Sequence, residues 1–330
     1  MRRVQSLLQD FKIDMKKLFS LIIVSILSMA FINSALAGED TCLKTGDAII
    51  TANGNSATQV QTAASGQTDS CSDIPDEYQI DFYALALCAD DPRELDFSSC
   101  QYMLAPSDTT VSHIISYPAS GALDIPEFSI APGTYPYMMA ILSNKLGIKN
   151  TITVTNAVDG ASSSTGTTCW TSNAGPTGYT NEQYTSAHGA TAAGGTQMLT
   201  CSNTASDAAP IFSYEIIAPL GEENCLAGGG GFETFGAKGG YGSVGDVGNG
   251  EGFGSLLQSN TAYATTCGNA DRLLWTIVLD APVTTTLTSS FDMRMRTVDA
   301  VSVDFSGESS NNDIVKMGAD PIQAFLVVTN

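Results

Sequence analysis

Alternation of apolar and polar side chains is the dominant pattern in this chain, and it recurs in short blocks. Over 78–87, Tyr78, Ile80 and Phe82 fall on one side with Gln79 and Asp81 on the other, the two-residue period of a half-buried strand. From there to Leu87 the run is apolar on both sides, as in a strand that enters a core between two layers. Cys88 ends it, Asp90-Asp91-Pro92 signals a turn, and 100–104 restarts a short strand. Further strands are predicted at 110–117, ended by Pro118, at 135–142 after the turn 131–134, and at 148–155. After a polar middle, 211–218, 273–279, 284–288, 291–298, 301–305 and 322–328 read as strands. In 291–298, Phe291, Met293, Met295 and Thr297 share a face opposite Asp292, Arg294 and Arg296. The N-terminal 38–73 reads as a short strand or turn at 48–50 followed by a polar loop.

No stretch has the period of an amphipathic helix of three turns or more, and no repeat of 20 to 50 residues stands out. The class these blocks predict is all-β: an antiparallel β-sandwich, taken as one domain over 38–330, with long disulfide-stapled Gly/Ser-rich insertions. The insertions are placed at about 156–209, rich in Ser, Thr, Gly and Ala, and at about 221–271, where glycine dominates to residue 254.

The first 37 residues follow a different rule. Lys16 and Lys17 precede an apolar stretch over 18–32, and Ala35-Leu36-Ala37 follows, the three parts of a secretory signal peptide with cleavage between Ala37 and Gly38. The apolar core is shorter than the roughly 20 residues that span a bilayer, so the expectation is a cleaved leader and no membrane span in the mature chain. Met15, directly before the two lysines, is an alternative start.

Export changes how the cysteines are read. All eight, Cys42, Cys71, Cys88, Cys100, Cys169, Cys201, Cys225 and Cys267, follow the leader, and an even count in an exported chain implies disulfides. Many pairings are open, and a sequential one is the expectation: Cys42–Cys71, Cys88–Cys100, Cys169–Cys201 and Cys225–Cys267. No Cys-x-x-Cys pair suggests zinc.

Charge narrows the partners. The chain carries 14 basic and 34 acidic residues; the leader accounts for five and two of them, which leaves 9 and 32 and a mature net charge of −23. Such a chain repels nucleic acid and anionic lipid.

Chemistry-bearing motifs are sparse. Gly240-Tyr241-Gly242-Ser243-Val244-Gly245 matches G-x-G-x-x-G but lacks the strand before and helix after that would hold a pyrophosphate. Ser243 has Tyr241 where a nucleophile elbow needs glycine. His113 and His188 are the two histidines: the first sits in a predicted strand, the second in an insertion, and neither suggests a triad. Trp275 reads as core, and Trp170, next to Cys169, as packing on a disulfide rather than stacking on a sugar. Calcium is the cation the acidic loops would suit: Asp246, Asn249 and Glu251 in one glycine-rich turn, and Asp90, Asp91 and Glu94 in another, though neither follows an EF-hand. No catalytic or cofactor-binding residues are assigned.

These observations lead to the expectation of a non-enzymatic exported protein, at the cell surface or outside the cell, with the periplasm as the other destination. Its role would be structural or adhesive, as a fibre or coat subunit that self-associates through edge strands, with 322–328 and the mature N-terminus as candidate edges. The alternatives are a calcium- or glycan-binding sandwich module, or a secreted hydrolase using carboxylates.

Overall fold

The structure is a computed structural model that describes residues 41–53, 58–62, 66–68, 70–118, 123, 128–160, 164–172, 199–216, 242–246, 248–264, 270–305, 314–320 and 322–330. The leader and its cleavage site, His188, Cys225 and Cys267 lie outside the described residues. The described strands begin with β1 Lys44–Thr45, β2 Ala48–Ile49, β3 Thr51–Asn53, β4 Thr58–Thr62, β5 Gly66–Thr68, β6 Ser70–Asp73 and β7 Glu77–Cys88. They continue with β8 Cys100–Leu104, β9 Val111–Ser116, β10 Gly133–Ser143, β11 Lys145–Lys149, β12 Thr151–Asp159, β13 Thr165–Thr171, β14 Leu199–Ser202 and β15 Ser213–Ile216. The last are β16 Gly242–Asp246, β17 Gly250–Leu257, β18 Arg272–Thr285, β19 Ser290–Arg296, β20 Val301–Phe305, β21 Ile314–Ala319 and β22 Gln323–Thr329. Among the described residues the only helical turns are two short 3-10 turns, and every strand pairing except β2 with β12 is antiparallel, so the expected all-β class is what these residues show.

The largest sheet runs β15-β11-β7-β10-β18-β17-β16, with β8 and β9 along the far edge of β7. Its inner face carries Tyr78, Ile80, Phe82, Leu85 and Leu87 of β7 and Trp275 and Ile277 of β18. The same core takes Ile152 and Val154 from the sheet β1-β2-β12-β13-β14, Val301 and Val303 from β21-β20-β6, and Leu326 from β19-β22. These sheets thus contribute to one apolar core.

The parity change within β7 has a local cause. Ile141 opposes Ala84 while Leu142 opposes Phe82, so Tyr83 is an extra residue in the ladder, a β-bulge. Its carbonyl is not orphaned, because Ser107 N–H donates to it at 3.1 Å. Before the bulge the outer positions are Gln79 and Asp81; after it they are Ala84, Ala86 and Cys88, which join Met139, Ile141, Leu257 and Leu274 in a second, smaller core. That core is covered by the excursion between Cys88 and Cys100, through Leu95 and Phe97.

Several segments depart from the expected pattern. The run 148–155 is two strands in two sheets, divided at buried Asn150. Asn150 N–H donates to Thr171 Oγ1 at 3.1 Å, its Oδ1 accepts from Asp76 N–H at 3.2 Å, and its carbonyl accepts from Thr171 N–H at 3.0 Å. A buried carboxamide with its polar atoms used in this way fixes a corner that hydrophobic alternation cannot report. Asp280-Ala281-Pro282, expected as a turn, lies inside β18: Tyr135 opposes Val283 and Tyr137 opposes Val278, so these residues form a bulge, where proline's missing N–H is tolerated.

The two insertion spans contain sheet strands. β13 and β14 lie in the first, β16 and β17 in the second. Their glycines serve close approach: a Cβ on Gly166 would stand 2.0 Å from the Ser202 carbonyl carbon, so β13 and β14 could not meet with any other residue there. The polar stretch 51–73 likewise forms β3 to β6 without an apolar alternation to announce it.

Candidate functional site

Three disulfides join Cys42 to Cys71, Cys88 to Cys100 and Cys169 to Cys201, the sequential order. Two of them clamp residues directly opposite each other, Cys88 against Cys100 across β7 and β8 and Cys169 against Cys201 across β13 and β14. All six half-cystines are buried. Such bonds form and persist in an oxidising environment. No helix among the described residues is long and apolar enough to cross a membrane.

The candidate calcium loop is the turn of a hairpin. Asp246 opposes Glu251 in the register of β16 and β17, and Asn249 lies in the turn between them. Asn249 Oδ1 accepts from Leu326 N–H at 2.7 Å and its carbonyl accepts from Asp280 N–H at 2.9 Å, so this residue stitches the turn to β22 and to the β18 bulge. Gly248, at φ +112°, makes the turn in a conformation that favours glycine. The second acidic turn is a capped 3-10 turn: Asp91 accepts from Arg93 N–H at 3.0 Å and from the Arg93 guanidinium at 2.7 Å. The Arg93 guanidinium sits 4.3 Å from the Phe253 ring centre, and Tyr263 O–H donates to the Arg93 carbonyl. The Asp91 carboxylate thus orients Arg93, and Arg93 ties the covering excursion to Phe253 and Tyr263. Among the described residues no cluster of three His, Cys, Asp or Glu side chains is placed to hold a metal.

The G-x-G-x-x-G stretch enters β16, an antiparallel strand, and not a helix N-terminus, so the geometry for cradling a pyrophosphate is missing there. His113 lies on the inward face of β9 and burial lowers its pKa below the ordinary value of 6.5. Trp275 is buried in the shared core and Trp170 is buried beside Cys169.

Sequence reasoning did not single out the row of side chains across the open end of the large sheet. Tyr214 of β15, Gly147 of β11, Gln79 of β7 and Ile114 of β9 oppose one another in successive pairings, all on the outer face. The Tyr214 ring covers Gly147, where a Cβ would come within 3.0 Å of Tyr214 Cε1. Tyr214 O–H donates to Gln79 Oε1 at 3.2 Å, Gln79 Nε2 donates to Asp81 Oδ1 at 3.1 Å, and Ser112 O–H donates to the same carboxylate oxygen. Lys149 pairs with Glu77 at 2.7 Å and lies 6.0 Å from the Phe212 ring centre. Beside this polar network Ile114 is 44% exposed and Tyr117, just past the end of β9, 58%. The signal that could have found it is Ser112-x-Ile114-x-Ser116, an outer face with one β-branched residue between two serines and no charge.

No protein-family model, no curated protein and no solved structure matches this chain.

Proposed function

We propose that this chain is a non-enzymatic structural or adhesive subunit, exported through its N-terminal leader and displayed at the cell surface or outside the cell. The observation that carries this reading is the edge of the large sheet at β9, an uncharged strand with Ile114 exposed, while the other half of the β7 outer face lies under the excursion clipped by Cys88–Cys100. An edge of this kind is a template for another strand. The clamps and the oxidising environment they need suit a protein that keeps its shape outside the cell. The expected edge at 322–328 is less open: β22 has β19 on one side, and Gly248 bridges Ala324 and Asn249 holds Leu326 on the other.

Sedimentation of the secreted protein over a range of concentrations, with electron microscopy of the same samples, tests the proposal. Dimers, fibres or a layer are the expected result, and a protein that stays monomeric at millimolar concentration refutes it. A second reading, a calcium-binding module, draws on the positions of Asp246, Asn249 and Glu251 on one hairpin turn. Calorimetry with calcium checks it, and a flat titration ends it.

A further inference from the structure

We infer that the open edge of β9 pairs with the same edge of a second copy of this chain, antiparallel and about a two-fold axis at Ile114. This rests on the assembly reading above and specifies its contact. Tyr117 N–H donates to the Asp76 carbonyl at 3.0 Å. In an antiparallel ladder bonded pairs alternate, so residues 115, 113 and 111 turn their amides to β7. Those of Ser112, Ile114 and Ser116 then point to the open edge, where no strand pairs with them among the described residues.

Among the described residues no strand, and no charge or proline within β9, guards this edge. Proteins blunt exposed edge strands with charge, proline or bulges. β9 is Val-Ser-His-Ile-Ile-Ser, without charge, proline or glycine. By contrast β15, β16, β19 and β21 each carry a charged residue in sequence, and β8 and β14 have no exposed residue.

The strand is self-complementary. Centring the pair on Ile114 sets Ser112 against Ser116 of the second copy and Ile114 against its own equivalent, with about six backbone hydrogen bonds across the three outward pairs. The half-exposed Ile114 side chain is then covered by its twin. A −23 net charge after the leader opposes the approach of two copies at long range, so an uncharged strip adds no local repulsion where they meet, and added salt strengthens the contact. A six-residue edge buries less than the roughly 1,200 Å² of a stable interface, so association is weak.

Cross-linking tests the register. Opposed bonded residues have Cα atoms about 5.5 Å apart, inside the disulfide range of about 4.4–6.8 Å. The full chain, secreted through its own leader, is prepared as Ile114→Cys, Ser112→Cys and Ser116→Cys. Ile114→Cys forms a covalent dimer under mild oxidation. Ser112→Cys alone does not, because its own equivalent lies four positions away, about 13 Å, while a mixture of Ser112→Cys and Ser116→Cys does. Peptide mapping confirms that the native disulfides are kept. Ile114→Lys sets two cations face to face and weakens association about tenfold or more, whereas Val327→Lys, at an exposed position of β22, leaves it unchanged. If the unmodified protein associates but Ile114→Cys does not cross-link, or the three cysteine variants cross-link equally, this contact is wrong while assembly stands. A protein monomeric under all conditions ends both.

Discussion

Removing the Cys169–Cys201 bridge isolates what a clamp across two short strands contributes. The bond closes a sequence separation of 32 residues. In the chain-entropy model that closure is worth about 3.7 kcal/mol at 25 °C, against about 2.8 kcal/mol for the separation of 12 between Cys88 and Cys100. Both sulfurs of the first bridge are buried, Cys169 fully, so Cys169→Ala/Cys201→Ala also loses their packing, and the total comes to about 4–5 kcal/mol. Folded domains hold only about 5–15 kcal/mol in all, so the variant stands near the edge of folding. Guanidinium titration of the oxidised protein, read by tryptophan fluorescence because Trp170 is adjacent to the bridge, measures the loss as a shift in midpoint. A loss under about 1 kcal/mol, or a larger loss for Cys88→Ala/Cys100→Ala than for the longer bridge, refutes the loop-length reasoning.

Other perturbations read different parts of the fold. Gly166→Ala forces a methyl group to 2.0 Å from the Ser202 carbonyl carbon, backbone that the nearby disulfide holds in place; a loss of about 3 kcal/mol is expected in the same titration, and a neutral result would show that β14 can move aside. Thr276 is fully buried in β18 and its hydroxyl has no hydrogen-bond partner among the described residues, so Thr276→Val should raise stability by about 1 kcal/mol, and a fall would contradict this. His113 has a folded pKa below its unfolded 6.5 because of burial. Above about pH 6.5 both states are neutral; below it the unfolded chain takes the proton first, so stability is intact above 6.5 and is lost as pH falls through the lowered folded value. Midpoints measured from pH 7.5 to 5 should show a decline that His113→Leu reduces.

Legibility followed the hydrophobic alternation closely. β7, β8, β9, β10 and β20 lie where alternating or apolar runs put them, because their inner faces carry the shared core: Tyr78, Ile80 and Phe82 had to face inward wherever the strand was placed. The strands within the two insertion spans are not announced by such a face. Gly166 and Gly250 sit among small polar residues that look loose in composition, yet each lies where another backbone passes, and a Cβ on Gly250 would fall 2.0 Å from the Val278 carbonyl oxygen. Composition cannot distinguish a glycine that frees a loop from one that admits a neighbouring strand, since the partner strand lies far away in sequence. Asn150 is opaque for the same reason: its partners are Asp76, Thr171 and Met317, and only the assembled sheets bring them together. The outer row of Tyr214, Gln79 and Ile114 joins residues from three separate blocks, so its members were visible one by one but their alignment was not.

The bulge at Tyr83 links these observations to the edge. It divides the outer face of the large sheet in two. Beyond it Ala84 and Ala86 are small enough for the Cys88–Cys100 excursion to lie flat on them, and Arg93 and Tyr263 anchor that cover. Before it Gln79 and Asp81 face outward into the polar network with Tyr214 and Ser112. Arg272 stands at the boundary, its guanidinium 4.1 Å from the Tyr83 ring centre and 3.2 Å from Asp108. A chain built only for a closed fold would gain by covering both halves, since Ile114, 44% exposed, forgoes about 1 kcal/mol of burial. That the covered half is the one reached by a disulfide-clipped excursion, while β9 keeps an uncharged edge with Ile114 beside it, is the physical asymmetry that a partner strand at this edge would resolve.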